Sequence, residues 1–185
     1  LIFIWVYNAA SHFLEIPMQL QKIDKAIYRK HLNIVIVSSI LVFAGLSLGL
    51  AQAAIFLFTD GQGSHFEINL AGVVLAMFIV GFGLNKVKSN GFMYEVYYVW
   101  QLKQQLNYIT RKMKAINTAT EKDDVIAIKI MFFYYRACRQ LYELDDNTIV
   151  MDELILKSNA LDVRIESLNL EVSDKDFEPD WLNRY

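Results

Sequence analysis

A single cysteine in 185 residues excludes an internal disulfide. The neighbours of Cys138, with Tyr135, Leu141 and Tyr142 on a helical spacing, suit a buried reduced thiol instead. The chain has no catalytic triad, no metal-ligand cluster and no phosphate-binding loop. No cofactor is implied, and the sequence leans away from an enzyme. Charge is missing over two long stretches: Leu32 to Phe58 and Ile68 to Leu84 contain no Asp, Glu, Lys or Arg. Ion pathways and proton relays usually need an ionisable group inside a span, so two such helices do not read as a transporter. Lysine and arginine are also absent from Thr59 to Glu67, the loop between these stretches.

What remains is a chain of two regimes, 55% hydrophobic yet 21% charged, with a mean hydropathy of +0.26. That is too apolar for an ordinary soluble domain and too charged for a pure membrane bundle. As a helix, Leu32 to Phe58 is about 40 Å long against a hydrocarbon core of roughly 30 Å. Ile68 to Leu84 is at the short end of the spanning range, with Asn69 and Asn85 near the headgroups. Lys22, Lys25, Arg29 and Lys30 precede the first span and Lys86 and Lys88 follow the second. The positive-inside rule then places both termini in the cytoplasm and the loop outside. His65 in that loop has no histidine or cysteine nearby and reads as a solvated residue. Small residues suggest a packing face, with Gly45, Gly49 and Ala53 on the first span and Gly72, Ala76 and Gly83 on the second. Leu1 to Pro17 has neither an initiating methionine nor a cleavage site, and reads as an upstream or added segment before Met18.

Beyond Gly91 the apolar residues recur at threes and fours: Phe92, Val96, Val99, Leu102, Leu106, Ile109, Met113 and Ile116. That spacing predicts one amphipathic helix of about seven turns. A second helix is predicted from a cap at Thr120 through Cys138 and Tyr142, and a third after Asp145-Asp146-Asn147-Thr148 with Met151, Leu154, Leu161, Ile165 and Leu168 on one stripe. Any of Asp146, Asn147 and Thr148 suits the cap of the third helix. The expected fold is all-α: a two-helix transmembrane hairpin followed by a cytoplasmic antiparallel bundle of about three helices. The segments are 1–17, a basic cytoplasmic stretch 18–31, spans 32–58 and 68–84 around loop 59–67, a helical domain 85–170 and an acidic tail 171–185. With Pro179 in it, the tail is expected to be irregular, offering Phe177 and Trp181 as exposed apolar points.

Two places suggest contact with a partner. Tyr94, Tyr97, Tyr98 and Trp100 follow the basic flank, where amphipathic rings suit either headgroups or a core. Asp145, Asp146 and Asn147, with Glu143, Asp152 and Glu153, form the one dense acidic group, which fits no calcium loop and is better explained by helix capping. Lys103, Arg111, Lys112 and Lys114 mark the first cytoplasmic helix as basic, whereas Glu143 to Asp180 is acidic. A solvated helix face accounts for the basic residues, and nucleic acid is not expected because no reading motif accompanies them.

Three stretches stand out together: Tyr28-Arg29-Lys30-His31-Leu32-Asn33, Tyr98-Val99-Trp100-Gln101-Leu102-Lys103, and Gln140-Leu141-Tyr142-Glu143-Leu144-Asp145-Asp146-Asn147-Thr148. In these the chain resembles a domain-of-unknown-function family of small gammaproteobacterial proteins with two membrane spans. The resemblance implies a bacterial inner-membrane location and brings no activity, substrate or catalytic residue. The expected function is a membrane-anchored interaction or scaffold protein. Its partners are the bilayer and, through the cytoplasmic helices, a second protein or a second copy. A membrane-state sensor and a small cation-dependent enzyme at the turn near Asp145 are the alternatives.

Overall fold

The computed structural model describes residues 19–60, 62–147 and 149–185. The expectations for Leu1 to Pro17 and for a cap at Thr148 lie outside the described residues. The described chain is all-helical and divides into two compact units, one of residues 26–97 and one of residues 98–185 together with residues 19–25.

The first unit is dominated by α1 (Lys25–Phe58) and α2 (Phe66–Val87). Both are long and apolar enough to cross a membrane. At 1.5 Å per residue they measure about 51 and 33 Å. Helix α1 starts seven residues before its charge-free run, because Lys25-Ala-Ile-Tyr-Arg-Lys contains no helix breaker. In α2, Glu67 lies in the first turn and Lys86 in the last, each at the end of the helix dipole that favours its charge.

Where these helices bury anything, they bury small side chains. A Cβ on Gly72 would stand 3.0 Å from the Ser47 carbonyl and 3.1 Å from the Ala51 Cβ. Ala76, one turn along α2, is fully covered. Of the small residues named in the sequence, Gly72 stands against Ser47 and Ala51, and Ala76 is buried. Gly45, Gly49 and Gly83 have open space beside them and Ala53 is exposed. Ser47 and Ala51 take their place, offset in helical phase from the glycines that stand out in the sequence. The large side chains point away: Ile40, Leu41, Leu48, Phe56, Met77 and Phe82 are all exposed.

After α2, Asn90 caps a 3-10 turn (Gly91–Met93) by accepting the Phe92 N–H. The next helix does not run seven turns. It is α3 (Tyr94–Arg111), then a break at Lys112, then α4 (Met113–Thr120). The Lys112 N–H donates to Ile109 O, three residues back rather than four, while the apolar spacing carries across the break without a signal.

The second unit is built on α5 (Val125–Asp145), which packs against α4 and α6 (Met151–Ser167). Its core draws Val99, Leu102 and Ile109 from α3, Ile116 from α4, Ile128 and Phe133 from α5, and Leu161 and Ile165 from α6. Thr120 closes α4 by donating to Ile116 O instead of opening the next helix. The cap of α5 is Asp124, whose carboxylate accepts the N–H groups of Ile126 and Ala127 at 2.9 and 3.0 Å. Helix α5 ends on Asp146 in the left-handed region, φ 56°, a conformation aspartate tolerates. Asp146 therefore terminates α5 and does not cap α6, whose N-cap is Val150 without a side-chain bond. Helix α6 closes in a Schellman turn, with Asn169 at φ 49° and Leu170 N–H returning to Ile165 O.

The tail departs most from its expected form. Phe177 is 1% exposed and stacks on Phe133, with ring centroids 4.2 Å apart and planes 9° from parallel. Pro179–Arg184 forms a 3-10 helix that buries Leu182, and the Lys112 ammonium donates to Leu182 O. An apolar residue at every fourth or fifth position, too sparse for a helix, is enough to pin an irregular strap across α5.

The Asp124 cap also meets the tail, since the Tyr185 hydroxyl donates to its carboxylate at 3.1 Å. Hydrogen bonds, led by that from Ala127, hold the Asp124 carboxyl below its ordinary 3.8, whereas burial first and then the bond to Asp124 push Tyr185 up to about 12. The contribution of Asp124 to stability is thus full above pH 3.8 and is lost as pH falls through its folded value. That of Tyr185 is full below pH 10 and is lost as pH rises towards 12. Asp124→Ala should cost about 1 kcal/mol at neutral pH, while Asp124→Asn keeps the cap and flattens the acid dependence. Urea titrations of the micelle-solubilised chain across pH check both; an unchanged acid limb in Asp124→Asn would remove the carboxylate from the account.

Candidate functional site

The residues expected to meet a partner are placed differently from one another. Asp145 ends the last turn of α5 and Asp146 follows it, and each carboxylate faces a lysine: Lys103 at 2.8 Å for Asp145, and Lys25 for Asp146. Asn147 donates its backbone N–H to Tyr142 O. Among the described residues no group of three or more His, Cys, Asp or Glu side chains is placed to hold a metal ion. The acidic turn works as a clasp, tying α3 and the segment before α1 to the end of α5.

Tyr98 belongs to the same clasp. Its ring is buried, its hydroxyl accepts the Gln21 N–H at 2.9 Å and donates to Gln140 Oε1 at 3.1 Å, and the Gln140 amide returns to Gln21 O. This closed circuit satisfies polar groups of three residues where a lone buried hydroxyl would be costly. Trp100, two residues on, is about half exposed. Tyr94 and Tyr97 fall in the other unit: Tyr94 is exposed, and Lys88 lies over the Tyr97 ring at 5.8 Å. There too His31 Nδ1 lies 3.1 Å from Glu95 Oε2, with its ring against Phe92.

A cleft of about 280 Å³ opens between α4, α5 and α6, lined by Met113, Met131, Tyr134, Tyr135, Tyr142 and the Glu153–Lys157 pair. Burial pushes all three phenols up, Tyr134 to about 12, and raises the Cys138 thiol to about 11. At neutral pH these groups stay protonated. The cleft offers hydroxyl donors and apolar walls but no thiolate or phenolate nucleophile.

The outer face of α6 is the feature that helical periodicity did not single out. Its inner stripe, Leu154, Leu161 and Ile165, closes the core as expected. Leu156 and Val163, seven residues apart and so on one face, are nevertheless 70% and 66% exposed. Ile149, two residues before the helix, is 92% exposed. A spacing of seven from Ile149 to Leu156 to Val163 was legible in the sequence, but the neighbouring stripe absorbed the core assignment.

Over residues 18–182 the chain matches the family described as "Protein of unknown function (DUF3087)". The chain belongs to this family. No curated protein and no solved structure matches it. The DUF3087 match extends past Leu170 through Phe177 and Leu182, so it takes in the strap that packs on α5. It also spans both long apolar helices and the clasp of Tyr98, Gln140 and Asp146.

Proposed function

We propose that this DUF3087 protein is a membrane-anchored interaction protein: α1 and α2 form a hairpin in a bacterial inner membrane, and the helical unit beyond Tyr98 engages a protein partner from the cytoplasm. Support for the anchor comes from what the two helices leave uncovered. Only small residues of the apolar runs are buried, while large aliphatic and aromatic side chains face outward along both helices. Holding that surface in water costs roughly 25 cal/mol for every Å², a cost absent in hydrocarbon. The flanking Lys25, Arg29, Lys30, Lys86 and Lys88, and the loop without lysine or arginine, favour cytoplasmic termini.

The observation that carries the interaction reading is the uncovered face of α6. Leu156 and Val163 stand exposed two turns apart on a helix whose opposite stripe is already buried, so the core of the unit does not use them. Trp100 is a further exposed aromatic of the same unit. An enzymatic reading gains nothing: both carboxylates of the acidic turn face lysines, and the tyrosine cleft lacks a nucleophile at neutral pH.

A photoreactive residue at Leu156 in the full chain, in cells, is expected to form a discrete protein adduct. The same probe at exposed Lys175, in the tail, should not. Adding Val163→Glu should abolish the adduct while membrane fractionation stays unchanged. No adduct at position 156 above that at position 175 would sink the assignment of this face.

A further inference from the structure

Four cations converge on one concavity of the second unit. Arg111 and Lys112 at the α3–α4 break, Lys114 on α4 and Lys122 just beyond it line an open groove of about 570 Å³, with Ala115, Ala119 and the Tyr185 ring as its apolar parts. Among the described residues no carboxylate side chain lines it. Composition does not explain this gathering, because residues 98–185 carry twelve lysines and arginines against fifteen aspartates and glutamates.

Pairing elsewhere sharpens the contrast. In the same unit Lys25, Lys103, Lys129, Arg136, Arg139, Lys157 and Arg164 each lie within 4 Å of a carboxylate. Among the described residues Arg111, Lys114 and Lys122 have no such partner. Arg111 lies against the Tyr108 ring, and Lys112 is anchored on Leu182 O. Lys22, Lys175 and Arg184 also lack such a partner among the described residues, but they do not line this groove, whereas Arg111, Lys112, Lys114 and Lys122 together give one concave place a concentrated positive potential. The break at Lys112 produces it. Had α3 run on through α4, the backbone would not turn at Lys112 and set its side chain between the tail and the two flanking basic residues.

We infer that this groove binds an anion presenting phosphate oxygens, either the headgroup of an anionic phospholipid or a soluble phosphorylated molecule. Arg111 supplies a planar fork suited to two oxygens, Lys114 and Lys122 supply point charges, and Lys112 adds field while holding the tail in place. Tyr185 contributes a wall, since its hydroxyl is committed to Asp124. Sulfate-like or phosphate-like oxygens fit this donor set; a cation or a neutral apolar ligand does not.

The test uses the full chain in nanodiscs, with a fluorophore on Thr118→Cys in the groove. Cys138 does not compete for the label, being buried with its thiol pushed up to about 11. In phosphatidylcholine discs, pyrophosphate is titrated at two salt concentrations; in phosphatidylglycerol discs, emission is read without added anion. A saturable, salt-weakened response to pyrophosphate assigns a soluble ligand, and an emission already shifted in phosphatidylglycerol discs assigns the headgroup. Either response should fall at least tenfold in Arg111→Gln/Lys114→Gln/Lys122→Gln and change less than twofold in Arg139→Gln/Lys157→Gln/Lys175→Gln, which removes equal charge elsewhere. All three groove positions are exposed, so the first variant keeps its fold. Silence in both discs, or equal losses in the two triple variants, overturns the inference.

Discussion

Replacing Phe177 by alanine should release the tail from the second unit, with a loss of about 3–5 kcal/mol, the usual range for deleting a buried aromatic. The ring is 1% exposed and stacks directly on Phe133. No other part of residues 171–185 makes a comparable apolar contact; Leu182 is the next largest buried side chain there. The polar ties are weaker individually. Asp176 pairs with Lys129 at 3.0 Å, and Lys129 also lies over the Trp181 ring, but both are partly solvated, where such pairs contribute about 1 kcal/mol or less. Hydrogen exchange read by mass spectrometry on the micelle-solubilised chain separates a local from a global effect. Peptides covering 174–184 should exchange more than about 100-fold faster, as a loss of 3 kcal/mol in local opening requires. Protection of α5 between Ile128 and Cys138 should fall less. Equal acceleration in the two regions would mean that the strap is part of one cooperative core, and no acceleration in either would remove Phe177 from the account of stability.

That tail shows where sequence reasoning reached its limit. Helical stripes such as Val99, Leu102, Leu106 and Ile109 were legible because one period governs which side chains face the core. The strap has no period. Pro179, two apolar rings and a run of acids describe a disordered segment as well as a docked one, and only the complementary surface around Phe133 decides between them. A similar ambiguity attended the caps. Thr120 and Asp124 are both good helix starters, and the choice fell to Asp124 because Asp123 takes a positive φ of 62° and turns the chain between α4 and α5. Arg164 fixes that turn from α6, bonding the Asp123 carboxylate at 2.7 Å and Glu121 O at 2.9 Å. Those partners lie about forty residues apart in sequence, beyond the reach of any local rule. The outer face of α6 was missed for the opposite reason, since a helix with two apolar stripes offers one more than its core needs.

Gly72→Ile is the second substitution with a large expected effect, and it bears on how α1 and α2 meet. A Cβ alone would come within 3.0 Å of the Ser47 carbonyl and 3.1 Å of both the Ala51 nitrogen and Cβ. Backbone on the opposing helix cannot swing aside as a flexible side chain can. Alanine asks α1 to give a few tenths of an ångström, but a branched side chain forces the helices apart. Overpacking of that kind costs about 1–3 kcal/mol, and the looser fit around buried Ala76 adds to it. Gly49→Ile and Gly83→Ile are the controls, since nothing stands within 4 Å of either position. Unfolding of the full chain by increasing mole fraction of sodium dodecyl sulfate, in mixed micelles, should rank Gly72→Ile well below Gly72→Ala and leave both controls within about 0.5 kcal/mol of the parent. Repeating the titration at tenfold different protein concentration carries the argument further. The cost at Gly72 should not depend on concentration, because Gly72, Ser47 and Ala51 belong to one chain. A concentration-dependent loss appearing only in Gly49→Ile would instead show that the open glycine face of α1 serves contacts between copies, leaving the Gly72 contact to hold each hairpin together.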